Sequence, residues 1–153
     1  MTEIHGQPRG AGLRFAIVAS RFNPEITEGL IAGAMQALKD AGVAANEVTL
    51  IHVPGAFEIP LATQHAARSK RYDGVIAIGC VIRGETSHFE YISEAASSGI
   101  IRVALETGVP VTFGVLTVDT DEQATARSQP DRNNKGFEAA MAAVEMVNLL
   151  KQI

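Results

Sequence analysis

The sequence is poor in the residues that mark several common classes of protein. It has one cysteine, Cys80, and no tryptophan among 153 residues. A single cysteine excludes an internal disulfide, and its place in an apolar run favours a reducing compartment, so we expect a cytoplasmic protein. Three of the histidines, His5, His52 and His65, have no metal-ligand spacing to one another, and no second cysteine is present. We therefore expect no metal ion.

Long apolar runs and clusters of basic residues are missing too. No run approaches the ~18 residues needed to span a bilayer, and no N-terminal segment resembles a signal peptide. The net charge is −4, with Lys and Arg scattered along the chain. A nucleic-acid-binding protein would normally carry a basic stripe, and an acidic balance disfavours an anionic membrane surface. We therefore expect neither nucleic acid nor membrane as a partner.

Apolar strands and amphipathic helices alternate along most of the chain. Residues 1–12 are interpreted as an N-terminal arm, and residues 13–153 as one domain, which is the number expected for this length. The predicted strands are 13–19, 48–53, 74–82 and 111–116, and the predicted helices are 24–41, about 57–69, 88–106, 121–127 and 134–150. This alternation predicts an α/β fold, a three-layer sandwich with a central four-stranded parallel sheet of the flavodoxin-like type.

Polar loops follow the four predicted strands, and the unusual residues of the sequence are concentrated there. The loops are residues 20–24, 54–58, 83–88 and 117–121. In a parallel sheet these loops share one edge, and ligands bind beyond the carboxyl ends of the strands. The sequence therefore predicts a binding site at this edge.

The third of these loops delivers a histidine to the start of a helix. Ser87 and Glu90 have the S-x-x-E spacing of a capping box, which predicts Ser87 as the N-cap and His88 as the first helical residue. Free backbone N–H groups beside an imidazole disfavour its protonation, so His88 would be ready to accept a proton at neutral pH. A helix-start histidine without a catalytic task is the alternative at this point.

Other residues admit two interpretations each. Phe22 could stack on a flat heterocycle or pack against the following helix, and Glu58 could contact a ligand or stabilise a helix start. The N–H groups of residues 84–87 suit a short phosphoester, because the spacing of a nucleotide P-loop is absent. Arg127 could complement a helix dipole or bind an anion. Lys135 opposes the dipole of its helix, so a ligand anion would explain it better than a solvated surface position.

Six segments follow one another in the order and spacing of motifs of a known family. They are GLRFAIV at 12–18, SRFN at 20–23, VPGAFEIP at 53–60, IRGETSHFEY at 82–91, FGVLT at 113–117 and NKG at 134–136. Together they resemble the 6,7-dimethyl-8-ribityllumazine synthase family over residues 12–150. Each segment alone is a weak signal, but six in register are specific.

The resemblance implies an enzyme that condenses 5-amino-6-(D-ribitylamino)uracil with 3,4-dihydroxy-2-butanone 4-phosphate. Phosphate and water are lost, no cofactor is needed, and the step is the penultimate one of riboflavin synthesis. His88 is implied as the proton-transfer residue. The residues implied in substrate binding are Phe22, Ala56, Phe57, Glu58, Cys80, Val81, Ile82, Glu85, Thr86, Phe113, Arg127 and Lys135. Among these, Phe22 would stack on the pyrimidine, Glu85 and Thr86 would bind phosphate, and Phe113 and Arg127 would come from a neighbouring subunit.

The resemblance also implies a homo-oligomer, with a homopentamer as the expected unit and riboflavin synthase as a further candidate partner. A shell of twelve pentamers stays an alternative. Residues 128–133 differ from the Ala-Gly-Thr-Lys-x-Gly pattern common in sixty-subunit members, although the spacing from Arg127 to Lys135 is unchanged. Pro8 could not donate a hydrogen bond to a neighbouring sheet. A binding module without turnover and a container protein are the competing classes of function.

Overall fold

The computed structural model describes all 153 residues and contains the alternation of strands and helices that the sequence predicts. The elements are β1 (Phe15–Ser20), α1 (Pro24–Asp40), β2 (Val48–Val53), α2 (Ile59–Arg68), β3 (Gly74–Ile82), α3 (His88–Thr107), β4 (Val111–Val118), α4 (Asp121–Ala126) and α5 (Lys135–Leu150). Short 3-10 turns at Ala45–Glu47 and Ala56–Glu58 precede β2 and α2. The bounds of β2 and β3 are those predicted.

The four strands form one parallel sheet in the order β2-β1-β3-β4. Alternate residues of the central strands point to opposite faces, as the pleat of a strand requires. Phe15 and Ile17 pack with α1 and α5, whereas Ala16 and Val18 pack with α2 and α3. Both faces of the sheet are therefore covered, and the prediction of a three-layer α/β fold is confirmed.

The start of α5 lies directly on α1 because glycines remove the side chains that would separate them. A Cβ atom at Gly136 would overlap the carbonyl oxygen of Leu30 and lie 2.7 Å from its carbonyl carbon. A Cβ atom at Gly29 would likewise overlap the carbonyl oxygen of Ser128. The loop before α5 and the first turn of α5 are thus seated on the backbone of α1.

The predicted capping box at α3 does not form. Ser87 is the N-cap, as predicted, but its side chain accepts no hydrogen bond from the helix. The Glu90 carboxylate instead accepts a hydrogen bond from Arg83, which precedes the helix. Glu90 and Arg83 both carry a full charge, whereas a capping box would pair the Glu90 carboxylate with an uncharged backbone N–H, and this explains the difference.

Two other helix starts show side-chain caps. The Oγ1 atom of Thr120 accepts a hydrogen bond from the N–H of Gln123 at 3.1 Å at the start of α4. The Gln123 side chain reaches back to the N–H of Asp119 rather than to that of Thr120. At α5 the Oδ1 atom of Asn134 accepts from the N–H of Phe137 at 3.0 Å.

The first fourteen residues contain no helix or strand, and residues 5–9 contact the C-terminal part of α5 and Gln152 beyond it. The Nδ2 atom of Asn148 donates to the carbonyl oxygens of Gln7 and Arg9, at 2.6 Å and 2.9 Å. The Nε2 atom of Gln152 donates to the carbonyl oxygen of His5 at 2.7 Å. The division of the chain at residue 12 stays a prediction. None of the helices combines the length and apolar content that crossing a bilayer requires.

Candidate functional site

A cavity of about 560 Å³ opens at the carboxyl ends of β1 and β3. These two strands are where the order of the sheet reverses, which is the place where open α/β sheets bind their ligands. The lining residues are Phe22, Asn23, Gly55, Ala56, Phe57, Glu58, Cys80, Val81, Ile82, Gly84, Thr86, His88, Phe89, Ile92 and Asp121.

Nine of the thirteen residues that the sequence singled out share this cavity. They are Phe22, Ala56, Phe57, Glu58, Cys80, Val81, Ile82, Thr86 and His88. Four others, namely Glu85, Phe113, Arg127 and Lys135, do not line it within one chain. The assignment of a role to each residue stays a prediction, but the first group is brought together from three loops and one strand.

The loop after β1 presents an aromatic ring to the cavity. Asn23 has φ 56° and ψ 62°, a left-handed conformation that asparagine tolerates better than most residues. Its Nδ2 atom donates to the carbonyl oxygen of Cys80 at 3.1 Å, which ties the loop to β3. Phe22, one residue earlier, is left 69% exposed beside the ends of both strands. An exposed ring in a loop that is anchored in this way can stack on a flat ligand.

Arg83 organises the segment that carries His88. Its Nη1 atom donates to Glu90, and its Nε atom donates to Asp119 at 2.8 Å. The guanidinium also lies 4.5 Å from the centre of the Phe89 ring. The hydrogen bond from Arg83 lowers the pKa of Glu90. One side chain thereby joins the end of β3, the first turn of α3 and the loop after β4, and it holds the ends of the segment on which His88 lies.

The charges around the cavity are negative. Glu58 and Asp121 contribute carboxyl groups and His88 contributes an imidazole, but no lysine or arginine lines the cavity. Burial, with Asp121 as a smaller cause, raises the pKa of the Cys80 thiol to about 11. Cys80 is therefore a neutral part of the cavity wall and not a nucleophile.

The remaining predicted residues lie elsewhere in the chain. Phe113 lies on the edge strand β4 and is 43% exposed. The Nη1 atom of Arg127 donates to the carbonyl oxygen of Gln123 at 3.0 Å. The Nζ atom of Lys135 lies 2.9 Å from Glu138 in the same helix, and its contact with a ligand anion stays a prediction.

Sequence reasoning missed six of the fifteen lining residues, and Asn23 and Asp121 are the two of them with polar side chains. Asn23 lies in the predicted loop 20–24, and Asp121, the first residue of α4, is the last residue of the predicted loop 117–121. The position in these loops was the available signal, but it did not show which side chains would face the cavity.

A larger cavity, of about 700 Å³, lies between α1 and the loop before α5. It is lined chiefly by glycine, alanine and loop residues, and it contains no residue predicted to act in catalysis. No group of three or more His, Cys, Asp and Glu residues is arranged to hold a metal ion. The cavity at the strand ends is therefore the better candidate site.

The fold and the cavity define a doubly wound α/β protein with a cavity at the reversal of strand order, where such sheets bind their ligands. A family model described as 6,7-dimethyl-8-ribityllumazine synthase matches residues 12–151. The chain belongs to this family, and it is accordingly a transferase of riboflavin biosynthesis. The family resemblance inferred from the six segments is confirmed.

Proposed function

We propose that this chain condenses 5-amino-6-(D-ribitylamino)uracil with 3,4-dihydroxy-2-butanone 4-phosphate to 6,7-dimethyl-8-ribityllumazine, with release of phosphate and water. The observation that carries the proposal is the gathering of an exposed aromatic ring, a helix-start turn and a histidine around one cavity. Family membership supports the choice of reaction.

The proposed pyrimidine half of the site is formed by Phe22 and the turn at 56–58. The exposed ring of Phe22 offers a stacking surface for the pyrimidine. Glu58 adds a carboxylate that can accept hydrogen bonds from ring N–H or ribityl hydroxyl groups. Strand residues 80–82 close the wall between the two loops.

The proposed phosphate half lies at the start of α3. Thr86 and His88 both line the cavity, and the helix N-terminus supplies free N–H groups of the kind that bind phosphate. Schiff-base formation, phosphate elimination and ring closure each move protons between heteroatoms, and a neutral His88 can serve these transfers in both directions. Alignment of two substrates in one cavity supplies a further part of the acceleration, so His88 is helpful without being indispensable.

The absence of a basic side chain from the cavity supports a site shared between subunits. A phosphate monoester carries about −1.5 to −2 charges at pH 7. The cavity adds the carboxylates of Glu58 and Asp121, and the nearby Arg83 is already held by two carboxylates. A second chain that presents Arg127 and Lys135 would supply the missing positive charge. We therefore propose that each complete site contains residues of two chains.

The edge of the sheet offers a surface for that second chain. Phe113 on β4 and Ile101 on α3 line one shallow groove, and they are 43% and 55% exposed. Exposed apolar side chains along an edge strand are typical of an interface. We propose a closed ring of five chains, with the number five taken from the family resemblance. The shell of twelve pentamers and the partnership with riboflavin synthase stay predictions.

Mixing the two substrates with purified protein tests the proposed reaction. The expected result is the appearance of lumazine fluorescence with release of one phosphate per product. A binding module would show affinity for the pyrimidine and no product, and a container protein would show neither. Light scattering on the same sample distinguishes a pentamer from a shell.

A further inference from the structure

The segment from Arg127 to Lys135 is a closed loop. The backbone N–H of Lys135 donates to the carbonyl oxygen of Arg127 at 2.9 Å, so the two ends of the loop touch. The side chains of Arg127 and Lys135 are therefore attached at adjacent points of the backbone, although seven residues separate them in sequence. Their spacing depends on the conformation of the loop between them.

A single buried amide holds this loop in place. Asn134 is 2% exposed, and its Nδ2 atom donates to the carbonyl oxygens of Gly29 and Gln129, at 3.1 Å and 2.9 Å. Its Oδ1 atom accepts from the N–H of Phe137. One side chain thus joins α1, the loop and the first turn of α5. Buried hydrogen bonds of this kind fix geometry, because leaving any partner unpaired is costly.

The surface of α1 is shaped to receive this amide. A Cβ atom at Gly33 would overlap the Oδ1 atom of Asn134 and lie 2.7 Å from its Nδ2 atom. At Gly29, one turn earlier, a Cβ atom would overlap the carbonyl oxygen of Ser128. The two glycines form a seat for the loop, which we call the Gly29–Gly33 seat.

We propose that Asn134 is a positioning residue that sets Arg127 and Lys135 as one preorganised pair of cations for the phosphate group of the substrate. The inference rests on the proposed function, and it adds a residue that does not touch substrate. Fixing both cations before binding removes the ordering cost that a free loop would impose. Because the loop carries none of the residues proposed to bind the pyrimidine, we expect its disturbance to affect the phosphorylated substrate and to spare the pyrimidine.

The variant Asn134→Ser separates the two tasks of the amide. A serine hydroxyl can still cap the helix by accepting from Phe137, but it is too short to reach Gly29 and Gln129. The expected result is a rise of about 10-fold to 100-fold in KM for the phosphorylated substrate, since a displacement of about 1 Å can cost as much as about 100-fold. KM for the pyrimidine should change less than about twofold.

A second variant disturbs the contact between Asn134 and α1 by a change in α1. Gly33→Ala pushes the amide out of the Gly29–Gly33 seat while improving the helix propensity of α1. It should therefore reproduce the selective rise in KM without unfolding the helix. If Asn134→Ser fails to fold, the two KM values of Gly33→Ala test the proposal on their own.

The same helix offers a matched control. Asn148 also donates through Nδ2 to two backbone carbonyl oxygens, those of Gln7 and Arg9, at the opposite end of α5. Asn148→Ser removes two hydrogen bonds of the same chemical kind, although more exposed ones, far from the closed loop. Both KM values of this variant should stay within about twofold of the wild-type values.

Wild type and Arg127→Ala are measured beside these variants. If wild type forms no lumazine, the proposed function fails and the inference with it. If Arg127→Ala raises KM for the phosphorylated substrate but Asn134→Ser and Gly33→Ala do not, the proposed function stands and the inference is overturned. An equal rise in both KM values in these two variants would also overturn it, because a merely structural role predicts that pattern.

Discussion

Replacing Gly136 by alanine should weaken the junction of α1 and α5 by an amount that the packing allows us to work out. The new Cβ atom would lie 2.7 Å from the carbonyl carbon of Leu30, whereas ordinary contacts begin at 3.4 Å. The two helices would have to separate by at least about 0.7 Å. Because the obstructing atoms belong to the backbone and not to a flexible side chain, this overpacking costs about 2–3 kcal/mol, the upper part of the usual range. The better helix propensity of alanine offsets about 1 kcal/mol. We expect a net loss of about 1–2 kcal/mol.

Thermal unfolding at fixed protein concentration measures this loss. About 1 kcal/mol shifts the midpoint by about 2–4 °C in a chain of this size, so the expected decrease is about 2–8 °C. Gly84→Ala is the comparator, because a Cβ atom at Gly84 meets nothing within 4 Å, and its midpoint should not fall. An unchanged midpoint for Gly136→Ala would refute the close approach of Gly136 to Leu30.

Three further predictions concern the site. His88→Ala should lower turnover by about 100-fold while pyrimidine binding persists, and wild-type turnover would remove His88 from the mechanism. Arg127→Ala should raise KM for the phosphorylated substrate far more than KM for the pyrimidine, since a guanidinium binds phosphate with two hydrogen bonds; equal effects would contradict the assignment. At pH 8 the thiol of Cys80, with its pKa raised to about 11, should carry about 100-fold less thiolate than in the unfolded chain, and alkylation should slow at least in proportion. Equal rates of alkylation in folded and urea-unfolded protein would contradict the raised pKa.

The features predicted correctly from the sequence are those that depend on nearby residues. The apolar run at 74–82 forms β3 with the predicted bounds, and His88 begins α3 as predicted. The first follows from a continuous apolar run, and the second follows from the N-cap residue Ser87 directly before His88. Because parallel strands share an edge, the four loops could also be placed at one end of the sheet before their contacts were known.

The features that were wrong or missed depend on distant partners. The capping box does not form because Glu90 accepts a hydrogen bond from Arg83. Arg83 in turn donates to Asp119, which lies 36 residues further along the chain. Asp121 was missed because its direction depends on how α4 docks after β4. The buried position of Asn134 depends on α1, which is 105 residues away at Gly29. None of these contacts leaves a periodic signal in the sequence.

The central claim is that a cavity without basic side chains is completed by Arg127 of a neighbouring chain, and mixed oligomers test it directly. His88→Ala and Arg127→Ala chains are co-folded in equal amounts, and the presence of mixed oligomers is confirmed. In random closed rings about a quarter of the interfaces combine an intact His88 with an intact Arg127. Activity should then rise well above the average of the two single variants. An activity equal to that average would show that the site lies within one chain and would contradict the account.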